Sequence, residues 1–213
     1  MNNIIMNFKY MTGYKQMTKN FENKNVYKET EIPESVMELI KKIENTESAR
    51  KALNIMFDEV KKGELEVKNG VLFKKDDFVI LNSFQNQGQI FEKNLKKIND
   101  LGLEIAPKYV KTITKDNDMF IINQIKGTKS GNLIPYEIAK KQVSDEDKQK
   151  AYLDMQKLTK SGLVDDKIAR SSAMWFVSPD DNKIVLPSFE ALRNLKTGEN
   201  KEVLNRYYNI IFG

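Results

Sequence analysis

The sequence predicts an α+β fold of two lobes, a small antiparallel sheet with one helix followed by a reduced, mostly helical lobe. Three observations predict it. Between residues 65 and 125 short β-like runs and one helical run follow each other in the order β, β, β, α, β, β. A Gly/Ser/Asn-rich stretch from Gly127 to Pro135 then interrupts the pattern as a linker. Beyond it, helical spacing dominates over 144–162 and again from Glu202 onward.

Residues 1 to 30 are Lys/Asn-rich without sustained period and read as an extended or disordered arm. A helical hairpin is expected over 31–63. Pro33-Glu34 opens its first helix, with Val36, Leu39, Ile40 and Ile43 at helical spacing. Ala49, Ala52, Leu53, Met56, Phe57 and Val60 line one face of the second, which ends near Gly63. A sheet-and-helix unit follows over 64–127. Leu65-Glu-Val, Val71-Leu-Phe and Phe78-Val-Ile-Leu form a meander broken by polar turns. Ile90, Phe91, Leu95, Ile98 and Leu101 mark a helix stopped by Gly102, and Tyr109–Thr114 with Met119–Ile125 form a hairpin about Lys115-Asp-Asn-Asp118. In the remaining part, 128–213, Ser144 with Asp145, Glu146 and Asp147 gives a strong helix start, and Ala151, Met155 and Leu158 face inward. Val203, Leu204, Tyr207, Tyr208 and Ile211 mark a docked C-terminal helix.

Composition removes whole classes of chemistry. The 213 residues contain no Cys and no His, so thiol nucleophiles, thiolate zinc sites, Ser-His-Asp triads and imidazole bases are excluded. Carboxylates, lysines, hydroxyls and an oxygen-held divalent metal remain, which keeps phosphoryl transfer, glycoside hydrolysis and nucleotide transfer open. The net charge of +5 is carried almost wholly by Lys; Arg stands only at 50, 170, 193 and 206. Because Arg makes the bidentate phosphate and guanine contacts, a nucleic-acid partner is less expected than a protein. No apolar run approaches the ~20 residues that span a bilayer, and the first ten residues lack a signal-peptide pattern. The expectation is a cytoplasmic protein without membrane contact, with delivery into a host cell by a specialised secretion system left open.

The chemistry-bearing stretch is Leu158 to Glu190: a helix end, the polar run Asp165-Asp-Lys-Ile-Ala-Arg-Ser-Ser172, then Trp175-Phe176 and Lys183-Ile-Val-Leu-Pro-Ser-Phe-Glu190. Together with the preceding strands and helix, it resembles the catalytic loop and metal-binding strand of the protein-kinase family, and in size the minimal kinases among bacterial effectors. The resemblance covers roughly 65 to 195. It implies that Phe120–Gly127 is the fifth strand and hinge, with the backbone of Asn123 to Ile125 facing an adenine, and that Glu92 pairs with Lys75 or Lys74. It places Thr159 at the helix-end His, Asp165-Asp166-Lys167 on His-Arg-Asp, Ser172 on the metal Asn, and Ser188-Phe189-Glu190 on Asp-Phe-Gly.

On this resemblance the catalytic Asp, the metal Asn and the metal Asp are all replaced. Ser188 brings no carboxylate to Mg²⁺, Lys167 repels the ion, and no Gly-x-Gly-x-x-Gly loop is present. Only 23 residues follow Glu190, so on this resemblance the substrate-binding helices of a full second lobe are missing. The leading reading is a degenerate, pseudokinase-like protein with a vestigial nucleotide cleft (Lys75, Glu92, Asn123, Ile125), no cofactor and no metal site, acting on a partner protein as effector or inhibitor. A second reading is an active minimal kinase or nucleotidyl transferase using ATP and Mg²⁺, with Asp166 or Asp165 catalytic and Asp181 or Glu190 helping to hold metal. A third is a Lys-rich, nucleic-acid-associated inhibitor. Read alone, Asp165-Asp166 is an acid pair at a helix C-terminus, against the helix dipole.

Overall fold

Two amphipathic helices open the described part of the chain, which in the computed structural model comprises residues 32–213; the expected arm over 1–30 lies outside it. Helix α1 (Glu34–Glu44) starts behind Pro33 and buries Val36, Leu39, Ile40 and Ile43. Helix α2 (Ala49–Lys61) is capped by Ser48, whose hydroxyl accepts from the Lys51 amide, and it buries Ala49, Ala52 and Met56. Expected to face inward, Phe57 is 37% exposed, yet its ring packs edge-on against Phe73 at 5.2 Å.

A five-stranded antiparallel sheet follows, formed by β1 (Glu66–Lys68), β2 (Leu72–Lys75), β3 (Phe78–Phe84), β4 (Lys108–Lys115) and β5 (Asp118–Gln124) in the order β1-β2-β3-β5-β4. Helix α3 (Gln85–Asp100) connects β3 to β4. It begins five residues before the apolar stripe that marks it in the sequence, because Gln85-Asn-Gln-Gly-Gln carries no periodic signal. Gly88 is needed there: a Cβ would lie 2.9 Å from the Met119 sulfur. The α+β class and the order β, β, β, α, β, β are those the sequence predicts.

Strand alternation gives the sheet two unlike faces. Phe73, Lys75, Phe78 and Ile80 share one, since Phe73 stands opposite Ile80 and Lys75 opposite Phe78. The Phe57–Phe73 contact puts α2 on that side. Val79, Met119, Ile121 and Asn123 share the other, and α3 packs there through Gly88.

The β4–β5 turn ties the helical hairpin to the sheet. Lys115 Nζ donates to the carbonyls of Glu44 and Thr46 at 2.6 and 2.7 Å, and Asp116 accepts from the Ala49 amide at 2.9 Å. One charged residue thus satisfies the C-terminal end of α1 and the next satisfies the N-terminus of α2, each sign matching the helix dipole. Lys115→Ala is expected to lower stability by about 1.5–3 kcal/mol, since hydrogen bonds from a charged donor are lost. A urea midpoint within error of the unsubstituted chain would contradict this.

The remaining elements are β6 (Ile134–Pro135), α4 (Tyr136–Ala139), α5 (Asp145–Lys160), β7 (Leu163–Asp165), α6 (Asp166–Arg170), a 3₁₀ turn at Ser172–Met174, β8 (Phe176–Val177), β9 (Ile184–Val185), β10 (Leu192–Asn194) and α7 (Asn200–Phe212). Strands β6, β8 and β9 form a small sheet, and β7 pairs with β10. The core here is aromatic at its centre. Trp175 is fully buried, donates from Nε1 to Ile168 O at 3.0 Å and meets Tyr207; Tyr136 donates to Ile211 O at 2.6 Å. The polar atoms of Trp175 and Tyr136 are therefore anchored, as desolvation requires. Among the described residues no helix is long and apolar enough to cross a membrane.

Candidate functional site

The segment Leu163–Ala191 holds the candidate carboxylates, and its local structure follows from Asp165. This residue ends β7 and is the N-cap of α6, with its carboxylate accepting from the amides of Lys167 (3.0 Å) and Ile168 (3.2 Å). Its other oxygen accepts from the Ala191 amide at 2.8 Å, just before β10. The side chain is fully buried, and burial pushes its carboxyl up while those backbone donors pull it back down. Asp165 is thus a structural staple between the α6 turn and the return strand.

The reading of Asp165-Asp166 as acids at a helix C-terminus is corrected by this geometry. Helix α5 ends at Lys160 and the pair instead starts α6, where negative charge is favourable. Asp166 accepts from Arg193 Nε at 2.6 Å and Nη2 at 2.8 Å, which holds its carboxyl below the usual range. Arg193 is shared with Glu199, whose carboxyl is lowered to about 2 chiefly by that contact. Glu190 accepts from Lys167 Nζ. Asp181 accepts from Ser178 and pairs with Lys183 at 2.9 Å within the β8–β9 turn.

Glu199 has a depressed carboxyl, so its contribution to stability is present above the unfolded value of 4.5 and is lost as pH falls toward about 2. Glu199→Gln is expected to flatten the acid limb of the stability curve between those two pH values while leaving the region above it parallel. An unchanged slope in acid would contradict this.

The pair Lys75–Glu92 is not formed, and the sheet explains why. Lys75 lies on the α2 side and binds Glu64 at 3.0 Å, whereas Glu92 projects from α3 on the opposite side. Glu92 accepts from Lys96 at 2.6 Å and from the Tyr109 hydroxyl at 3.0 Å, with the Lys96 ammonium 4.8 Å over the Tyr109 ring. Lys74, opposite Val79, is the member of the pair on the α3 side.

At the expected hinge, Asn123 sits inside the β3-β5-β4 ladder between Val79 and Tyr109. The Ile125 amide donates to Asp77 O at 2.8 Å, so it does not present a donor to a ligand. Beside it Val79, Ile125 and Val185 form a buried apolar cluster, with Leu72 and Leu133 packed against it. This cluster lies next to the backbone that the resemblance assigns to an adenine. Ser188 precedes the buried Phe189, and Asn94 of α3 donates to Phe189 O at 2.9 Å. Two surface recesses border the helical hairpin, one lined by Lys42, Thr46, Lys51 and Asn54, the other between the hairpin and β2 and lined by Glu38, Glu59, Glu64 and Lys75.

Among the described residues no three carboxylates come together to hold a metal ion. Each acid considered for the purpose already has a cation or backbone donors around it.

Two further acids position the site: Asp154, which carries no sequence signal of its own, and Asp180, in the run Asp180-Asp181-Asn182 that reads as a turn between strands and forms the β8–β9 turn. Asp154, 3% exposed on α5, accepts from the amides of Glu104 (2.6 Å) and Ile105 (3.1 Å) and pairs with Lys157. It lies in the charged run Asp145–Lys160, where it reads as a solvated face. Asp180 accepts from the amides of Lys129 and Ser130 across the linker.

No protein-family model and no curated protein matches the chain. Among solved structures it is similar to the Cydia pomonella granulovirus kinase PK-1, at 12% identity and a TM-score of 0.42, over 68% of this chain and 57% of that one. The chain therefore spans a little over half the length of that kinase.

Proposed function

We propose that the chain is a catalytically impaired, kinase-like protein that acts by binding a partner protein. The observation that carries the reading is the employment of its acids: Asp165 staples backbone, Asp166 is chelated by Arg193, and Glu190 is paired with Lys167. A general base must be able to reach a substrate proton, and a metal ligand must face the phosphates. None of the three is disposed for either task. The Ile125 amide supports the same reading, because it is already bonded to Asp77 O within the chain.

Incubation with γ-labelled ATP and Mg²⁺, alone and with cell lysate, tests it. No label above background is expected, with Asp166→Ala indistinguishable from the unsubstituted chain. Transfer that is lost in Asp166→Ala would establish an active minimal kinase or nucleotidyl transferase instead. Binding to the partner protein is expected to persist from 50 to 200 mM salt, whereas capture of nucleic acid that falls steeply over that range would favour the nucleic-acid reading.

A further inference from the structure

The linker after β5 is bound from both sides, and we propose that residues 125–130 act as a strap locking the sheet half to the helical half independently of any ligand. Ordinary linkers leave their amides to water. Here the sheet side is Asp77, in the β2–β3 turn: its carbonyl accepts from the Ile125 amide at 2.8 Å and its carboxylate from the Thr128 amide at 3.1 Å. The other side is Asp180, in the β8–β9 turn, whose carboxylate accepts from the amides of Lys129 (2.8 Å) and Ser130 (3.0 Å) and from the Ser130 hydroxyl. The Asp180 amide in turn donates to Gly127 O at 3.1 Å. Four of the six strap amides are thus held by acceptors from two distant turns, one on each half.

Four further contacts brace the same joint. Thr128, 2% exposed, donates its hydroxyl to Ile125 O at 2.7 Å, which closes the strap on itself. Val79 from the sheet and Val185 from β9 bury Ile125 between them. Away from the strap, Asn94 of α3 reaches Phe189 O, and the Leu186 amide donates to Ile105 O at 2.8 Å. In hinge-closing proteins a ligand supplies the contacts that favour the closed state. Here the chain supplies them itself. The lock stands whether or not the chain binds a partner or a nucleotide.

The absence of native Cys lets two labels be placed without background, at Lys68→Cys on β1 and Lys201→Cys on α7. Pulsed electron-spin distance measurement on the full chain is expected to give one narrow distribution, unchanged by ATP and Mg²⁺. Asp77→Ala with Asp180→Ala is expected to broaden it and to speed hydrogen exchange of the Thr128, Lys129 and Ser130 amides by about tenfold or more. The Ile125 amide, held by a backbone carbonyl, changes less. Asp180→Ala alone, on an exposed turn and so compatible with folding, is expected to release only Lys129 and Ser130. A broad or two-peaked distribution in the unsubstituted chain, narrowing on addition of nucleotide, or exchange unchanged in the Asp180 variant would overturn the proposal.

Discussion

Asp165→Ala is expected to lower the stability of the chain by about 3–5 kcal/mol, the largest single loss at the candidate site. Three amides, from Lys167, Ile168 and Ala191, point at a carboxylate with 0% exposure, and alanine leaves all three without an acceptor. Each buried unpaired amide costs about 1–3 kcal/mol, and the cost of burying the carboxylate itself, which is relieved by the change, offsets part of the sum. Asp165→Asn keeps one acceptor oxygen and is expected to lose less. The neighbouring Asp166→Ala is expected to lose about 1 kcal/mol or less, because its pair with Arg193 is partly exposed and screened. Urea midpoints read all three. Equal, small losses for the two aspartates would mean that Asp165 is not a staple.

Gly127→Ala is expected to cost about 2–4 kcal/mol, and Gly162→Ala only about 1–2 kcal/mol. Both glycines have left-handed backbones, with φ of +75° and +80°, so the conformational term is shared. They differ in surroundings. A Cβ at Gly127 would lie 2.6 Å from Asp181 Oδ1 and 2.8 Å from Ser178 Cβ, while at Gly162 nothing lies within 4 Å. Asp181 Oδ1 accepts from Ser178 and Oδ2 pairs with Lys183, so the carboxylate cannot swing away freely. The excess over Gly162 therefore measures how tightly the linker is seated on the β8–β9 turn. Identical midpoints for the two variants would contradict that seating.

The difference between these sites and the well-read elements is one of length. Helices α1 and α5 are legible because Pro33-Glu34 and Ser144 with three acids mark their starts and eleven to sixteen residues display a period. Strand β7 has three residues and α6 has five, too few for any period, so Asp165-Asp166 attaches by eye to the end of α5. The acid pair before Lys-Ile-Ala-Arg is nonetheless a helix-start signal, and it identifies α6 once read that way. Lys75 and Lys74 illustrate a second limit. A shift of one residue exchanges the two faces of a strand, and the sequence does not say which face α3 covers. The helical hairpin settles it by taking the Phe73–Lys75 side. Asp154 and Asp180 illustrate a third: their acceptors serve amides about fifty residues away, and no local pattern encodes such a partner.

The proposed loss of a nucleotide site is tested by isothermal titration of the full chain with ATP in the presence of Mg²⁺. No saturable heat is expected, because the Ile125 amide is already bonded to Asp77 O and Asp166 and Glu190 are already paired. Tight binding that disappears when Mg²⁺ is removed would contradict it.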